Sequence, residues 1–123
     1  MNSTSMQGAI EENASEAEGL LSILANRRRL IILCNLMVSG ELPVGELVRR
    51  LDLAQSALSQ HLALMRAAGI VSTRREGTTI YYSLTDERTR ALLYSIKKLY
   101  FHEVFKELET KDGFLEKPFE GKN

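Results

Sequence analysis

Apolar residues recur at helical spacing through most of the chain and at every second position in one short stretch, a change of period that predicts five helices and one β-hairpin. Leu20, Ile23 and Leu24 close a first helix that begins among Glu11, Glu12, Glu16 and Glu18, because acidic side chains favour a helix N-terminus. Asn26 is suited to cap a second helix with Leu30, Leu33, Cys34 and Met37 on its apolar stripe, ended by Gly40. Pro43, tolerated in a first helical turn, opens a third helix striped by Val44, Leu47, Val48 and Leu51. A tight turn through Asp52 and Leu53 leads into a fourth, which runs to Ala68 and stops at Gly69. Ile70 to Arg75 and Thr79 to Leu84 then alternate as strands rich in β-branched and aromatic residues, joined by Glu76-Gly77-Thr78. Thr85 is placed to cap a last helix of about 24 residues with a broad apolar face: Leu92, Leu93, Ile96, Leu99, Tyr100, Val104 and Leu108. A helix of that length in a small domain calls for a partner surface.

The third and fourth helices and their short turn form a helix-turn-helix, whose second helix can enter a DNA major groove. At about 100° per residue, Leu58, Leu62, Met65 and Ala54 cluster towards the core, whereas Ser56, Ser59, Gln60 and Ala63 lie opposite. A glutamine can bond an adenine edge through two hydrogen bonds, a serine can donate or accept, and small side chains permit close approach. The free amides at the start of this helix, near Ala54 and Gln55, suit a phosphate. The following hairpin carries Arg74 and Arg75 before its turn and Thr78 and Thr79 after it, cations and hydroxyls suited to the DNA backbone or minor groove. Helix-turn-helix followed by basic hairpin is the order of a winged helix. The expected class is therefore mainly α with a β-hairpin wing. A flexible acidic N-terminus spans residues 1–15, the winged helix-turn-helix with its dimerisation helices 16–109, and a polar tail containing Phe114, Leu115 and Phe119 spans 110–123.

Charge refines this picture. The 123 residues carry sixteen basic and sixteen acidic side chains, so the chain does not hold nucleic acid by bulk charge. Residues 1–24 hold four acids and no base, residues 25–90 ten bases and six acids, and residues 91–123 six of each. The basic surplus thus coincides with the winged-helix body. The longest run free of charged residues, Leu53 to Met65, is thirteen residues, short of the roughly 20 that a membrane-spanning helix needs. With neither a spanning segment nor a signal peptide, a cytoplasmic protein with no membrane partner is expected. The single cysteine, Cys34, cannot form an internal disulfide. Neither His61 nor His102 stands beside Cys34 as a base, and no phosphate loop or nucleophile elbow is present, so no enzymatic activity is expected.

The blocks Leu24-Ala-Asn-Arg-Arg-Arg-Leu-Ile-Ile-Leu-Cys-Asn-Leu, Glu41-Leu-Pro-Val-Gly-Glu-Leu, Gln55-Ser-Ala-Leu-Ser-Gln-His-Leu, Met65-Arg-Ala-Ala-Gly-Ile-Val and Arg74-Arg-Glu-Gly-Thr-Thr-Ile-Tyr-Tyr-Ser-Leu closely resemble, in order, the ArsR/SmtB family of bacterial repressors, over residues 16–105. The resemblance implies a winged-helix homodimer, paired through its first and last helices, that binds an operator with imperfect twofold symmetry on double-stranded DNA. It also implies DNA contact by Gln55, Ser56, Ser59, Gln60 and sometimes His61, with backbone contacts from the wing at Arg75 to Thr79. The helical wheel selects Ser56, Ser59 and Gln60 independently. It sets His61 beside Leu58 and Leu62, leaving both a packing flank and a phosphate contact open. Asp52 stands where this family usually has Gly or Asn, a position Asp tolerates because it adopts left-handed backbone angles more readily than most residues.

Metal-sensing members of the family carry two thiolates on the third helix, at positions matching Pro43 and Gly45 here, and neither residue has a side-chain ligand. A second family metal site uses Asp, His and Glu on the final helix; this chain offers Asp86, His102 and Glu103, with Arg88 where a His is expected. No metal and no cofactor are therefore expected. Cys34 resembles the first cysteine of the persulfide-responsive branch, whose second cysteine matches Phe101. Cys34 is read as a small core residue, with a redox-responsive thiol as the alternative and any small-molecule effector unknown.

Overall fold

In a computed structural model of the chain, residues 3–104 are described. Alanine, leucine and glutamate carry α1 (Ser3–Leu24), whose last turns bury Leu24 and rest Leu20 and Ile23 on the core. The helix reaches back through the segment expected to be a flexible N-terminus. Arg29 closes its far end by donating from Nε to the Ile23 carbonyl at 2.8 Å. Asn26 then caps α2 (Arg27–Ser39), its Oδ1 accepting the Arg29 amide at 3.1 Å, as expected. The stripe of α2 is rotated from the expected one: Ile32, Leu33, Leu36, Val38 and Ser39 are buried, while Leu30, Cys34 and Met37 are half-buried. Its sequence Leu-Ile-Ile-Leu-Cys-Asn-Leu-Met-Val is apolar almost all round, so periodicity alone does not fix the inward face.

The hairpin has a third strand that apolar spacing did not disclose. Glu41–Pro43 forms β1, antiparallel to β3 (Thr79–Leu84), with Leu42 opposite Tyr82, and β3 pairs on its other side with β2 (Val71–Glu76). Three residues are too few to show a period of two. Pro43 ends this edge strand, where the missing amide is tolerated, and is the N-cap of α3 (Val44–Arg50) rather than its first residue.

The α3–α4 turn contains no left-handed residue: among the described residues only glycines have positive φ, so Asp52 does not need the conformation anticipated for it. Ala54, expected in the core, is the exposed N-cap of α4 (Gln55–Ala67), whose inner face buries Leu58, Leu62 and Met65 completely. At the far end Gly69 has φ 78°, its amide donates to Arg66 O at 3.0 Å, and the Ile70 amide reaches Met65 O at 2.9 Å. These are the two bonds of a Schellman motif, sealed by buried Ile70 and Met65. The wing turn is tighter than expected. Glu76 pairs with Thr79, leaving the two-residue loop Gly77-Thr78, with the positive φ of 64° at its first position as such hairpins require.

Thr85 does not cap the last helix, because its hydroxyl is held by Ser72 Oγ at 2.6 Å. Asp86 is the cap, accepting the Thr89 amide at 2.9 Å and the Thr89 hydroxyl at 2.6 Å. The α5 helix (Glu87–Tyr100) has 14 residues, shorter than expected, and breaks at Phe101 before helical backbone resumes at His102. Leu108 and the tail, with Phe114, Leu115 and Phe119, lie outside the described residues. One apolar core joins Leu24, the inner faces of α2 and α4, Leu47 of α3, Leu42, Val71 and Leu84 of the sheet and Leu93 of α5. It fixes the outer face of α4.

Candidate nucleic-acid interface

Gln55, Ser56, Ser59 and Gln60 are exposed on α4: Gln55 is its first residue, Ser59 lies at the side, and Ser56 and Gln60 lie across the helix from Leu58, Leu62 and Met65, side chains with no solvent exposure. The uncharged polar face selected from the sequence is therefore presented to solvent by a helix that cannot roll without exposing Leu58 and Leu62. No side chain caps the start of α4, and the Leu58 amide bonds the Ala54 carbonyl at 3.0 Å. The preceding amides remain available to an anion.

His61 is half-buried on the flank of this face. Burial, and then the nearby charges of Arg29 and Arg28, push its pKa below the ordinary value and favour the neutral ring. A neutral ring still donates one hydrogen bond but brings no charge to a phosphate.

The two wing arginines have different fates. Arg74 donates from Nε and Nη2 to the two Glu41 carboxylate oxygens, each at 2.8 Å, and from Nη1 to Glu76 at 2.7 Å. Its guanidinium also lies 4.4 Å from the centre of the Tyr81 ring. These partners hold the cation firmly protonated and make Arg74, expected from the sequence at the DNA, a strut between β2 and β1. Arg75, the next residue, points to the other face of the strand. It is exposed and has no ion pair among the described residues. Thr78 is exposed in the turn and Thr79 is half-buried at its base. The sequence thus grouped two arginines that the pleat separates. The missed partner, Glu41, belongs to the unforeseen strand.

The α3 helix is braced similarly. Glu46 accepts from Arg49 and, at 3.0 Å, from Arg50, which also donates to the buried Ser39 hydroxyl of α2 at 2.9 Å. The two guanidinium groups pull the Glu46 carboxyl down to about 2. Arg88 pairs with Glu16 at 2.6 Å and Arg90 with Glu87 at 3.8 Å. Of the ten arginines between residues 25 and 90, those without a carboxylate partner among the described residues are Arg27, Arg28, Arg29, Arg66 and Arg75.

No group of three His, Cys, Asp or Glu side chains converges among the described residues in a way that could hold a metal ion. Asp86, one of the acids weighed as a ligand, is engaged as the α5 cap. Cys34 is half-buried, and burial pushes its thiol pKa up, which lowers the fraction of nucleophilic thiolate. No helix among the described residues is long and apolar enough to cross a membrane.

Comparison with known proteins agrees with this geometry. Residues 26–73, from the cap of α2 into β2, match the model of the arsR family of bacterial regulatory proteins. The chain is 47% identical over 91 residues to the transcriptional activator HlyU of Vibrio cholerae, covering 74% of this chain and 83% of that protein. It is 46% identical to the nodulation protein NolR of Rhizobium meliloti over 72% of each chain. The crystal structure of HlyU from Vibrio vulnificus superposes with a TM-score of 0.71 at 48% identity, covering 76% of this chain and 97% of that one. The helix-turn-helix, the wing and these likenesses converge on one conclusion: the chain belongs to the arsR family and is a winged-helix, DNA-binding transcriptional regulator.

Proposed function

We propose that this chain works as a homodimer on a near-palindromic operator, placing one α4 helix in each of two successive major grooves about 34 Å apart. The observation that carries the reading is the exposed Gln/Ser face of α4 opposite a fully buried one. Gln55, Ser56, Ser59 and Gln60 read base edges, while Arg75, Thr78 and Thr79 grip the backbone. His61 packs against the flank of α4 and contributes at most a neutral hydrogen bond.

Dimerisation is supported by where apolar surface is left uncovered. Of the nine large hydrophobic residues exposed among the described residues, seven lie on α1 (Met6, Ile10, Leu21) or on and just past α5 (Tyr94, Leu99, Tyr100, Val104). A second copy joined along these helices would cover them and set two reading helices about a twofold axis. A regulator of this size represses by occupying promoter DNA, or activates by displacing another repressor; HlyU is named an activator. Its place is the cytoplasm, with the chromosome. It has no catalytic role and does not respond to metals, since the two thiolate positions are Pro43 and Gly45.

Selection of bound duplexes from a random pool, followed by footprinting, tests this reading. An enriched sequence with twofold symmetry supports it. Absence of any enriched sequence refutes it and favours a winged helix that binds protein alone.

A further inference from the structure

The arginines left without carboxylates lie in separate places. Arg75 belongs to the wing and Arg66 to the last turn of α4, whereas Arg27 and Arg28 open α2. Folding brings Arg28 to the helix-turn-helix itself: its Nη1 lies 3.4 Å from the Asp52 carbonyl in the α3–α4 turn. Together with Ile31, Arg50, Leu51, Asp52 and Leu53 it lines a groove of about 270 Å³ beside that turn. Its charge reaches α4 as well, adding, after burial and Arg29, to the lowering of the His61 pKa. His61 follows Gln60 by about 100° around the helix, so Arg28 stands on the flank of the reading face. Both Arg27 and Arg28 are exposed, and the Asp52 carboxylate makes no ion pair with either among the described residues. A long bond to one carbonyl does not saturate a guanidinium with five N–H donors.

We propose that Arg28, with Arg27 beside it, forms a second DNA-backbone grip, distinct from the wing, that binds a phosphate next to the stretch of major groove read by α4. The grip rests on the reading of α4 as the DNA-reading helix. It carries no sequence information, because a phosphate is the same beside every base pair. Its role is to fix how deeply, and at what angle, Gln60 and Ser59 meet the bases. Arg75 and Arg28 then hold the helix from two separate elements, which a single basic hairpin cannot do.

The test is fluorescence anisotropy of the full chain on a selected operator duplex and on a scrambled duplex, each over a range of salt. Arg28→Gln should weaken binding to both duplexes by a similar factor. It should also flatten the plot of log affinity against log salt by about 0.9 per protomer, the slope carried by one phosphate contact. Arg28→Lys keeps the charge and should restore most of that slope. Thermal melting separates a fold defect from a lost contact, and Arg28→Lys keeps the question open to test if Arg28→Gln melts early. An unchanged slope in Arg28→Gln, with wild-type protein binding the operator, overturns the grip alone. So does weaker binding at constant slope, which would make Arg28 a prop for the Asp52 turn. Failure of wild-type protein to bind either duplex overturns the reading of α4 together with the grip.

Discussion

Neighbouring residues of like type do different work in this wing. Arg74 is committed to Glu41, Glu76 and Tyr81, and Arg75 faces away from them. Arg74→Gln should therefore lower the melting temperature slightly, as expected for a solvent-screened pair, and weaken DNA binding without altering its salt dependence. Arg75→Gln should leave melting unchanged and reduce the salt slope. Thermal denaturation and salt-dependent anisotropy on both variants check the contrast, and equal salt slopes would contradict it. Composition could not separate these two arginines. The two-residue period of a strand does put them on opposite faces, but the carboxylate that claims Arg74 sits 33 residues earlier in β1. On α4 the situation is reversed. Leu58, Leu62 and Met65 announce the buried face by their spacing, and the exposed Gln and Ser residues follow from it.

Helix ends and turns are where local sequence had least authority over the elements. Asn26 was legible as a cap because it precedes a helix with no competing acceptor, whereas Thr85 and Asp86 are adjacent and both can cap. The choice between them is made by Ser72 across the sheet, which holds the Thr85 hydroxyl and leaves Asp86 to α5. Gly69 was recognised as a helix stop, and its left-handed backbone is the reason. Gly69→Ala should cost about 1–2 kcal/mol, measured as a lower urea midpoint at constant slope, since the Cβ would meet no atom within 4 Å and only the backbone conformation is penalised. The flank between α2 and α4 adds a pH dependence. Because the folded state lowers the His61 pKa, the neutral ring favours folding above the ordinary value of 6.5, and that contribution is lost as the pH falls through the lowered one. Urea midpoints should drop on acidification below about pH 6.5, and His61→Asn should remove part of the drop. An identical drop in that variant above pH 4.5 would contradict the role of His61, because carboxylates such as Glu46 lose their contribution only as the pH falls from 4.5 towards 2.

At the level of the whole molecule, zero net charge conceals an acidic first helix and a basic winged body, in which five arginines have no carboxylate partner among the described residues. The sequence disclosed the order of the helices and of the hairpin, though not β1, and the buried face of α4. It could not disclose which arginines neighbouring acids neutralise, because those pairings cross the fold, as between Arg88 and Glu16. Leu99 and Tyr100 are exposed, and the proposed homodimer buries them. Leu99→Glu should shift sedimentation from dimer towards monomer and weaken operator binding more than 10-fold, as expected when two half-sites no longer bind together. A monodisperse dimer of unchanged affinity would place the interface elsewhere. If α4 reads sequence through Gln60 and its neighbours, the DNA sequences selected from a random pool by wild-type protein and by Gln60→Ala must differ. Both proteins should enrich half-sites one helical turn apart, and the variant should lose base preference at one symmetry-related pair of positions, a discrimination of about 1–3 kcal/mol. An unchanged preference at every position in the Gln60→Ala selection would contradict that role of α4.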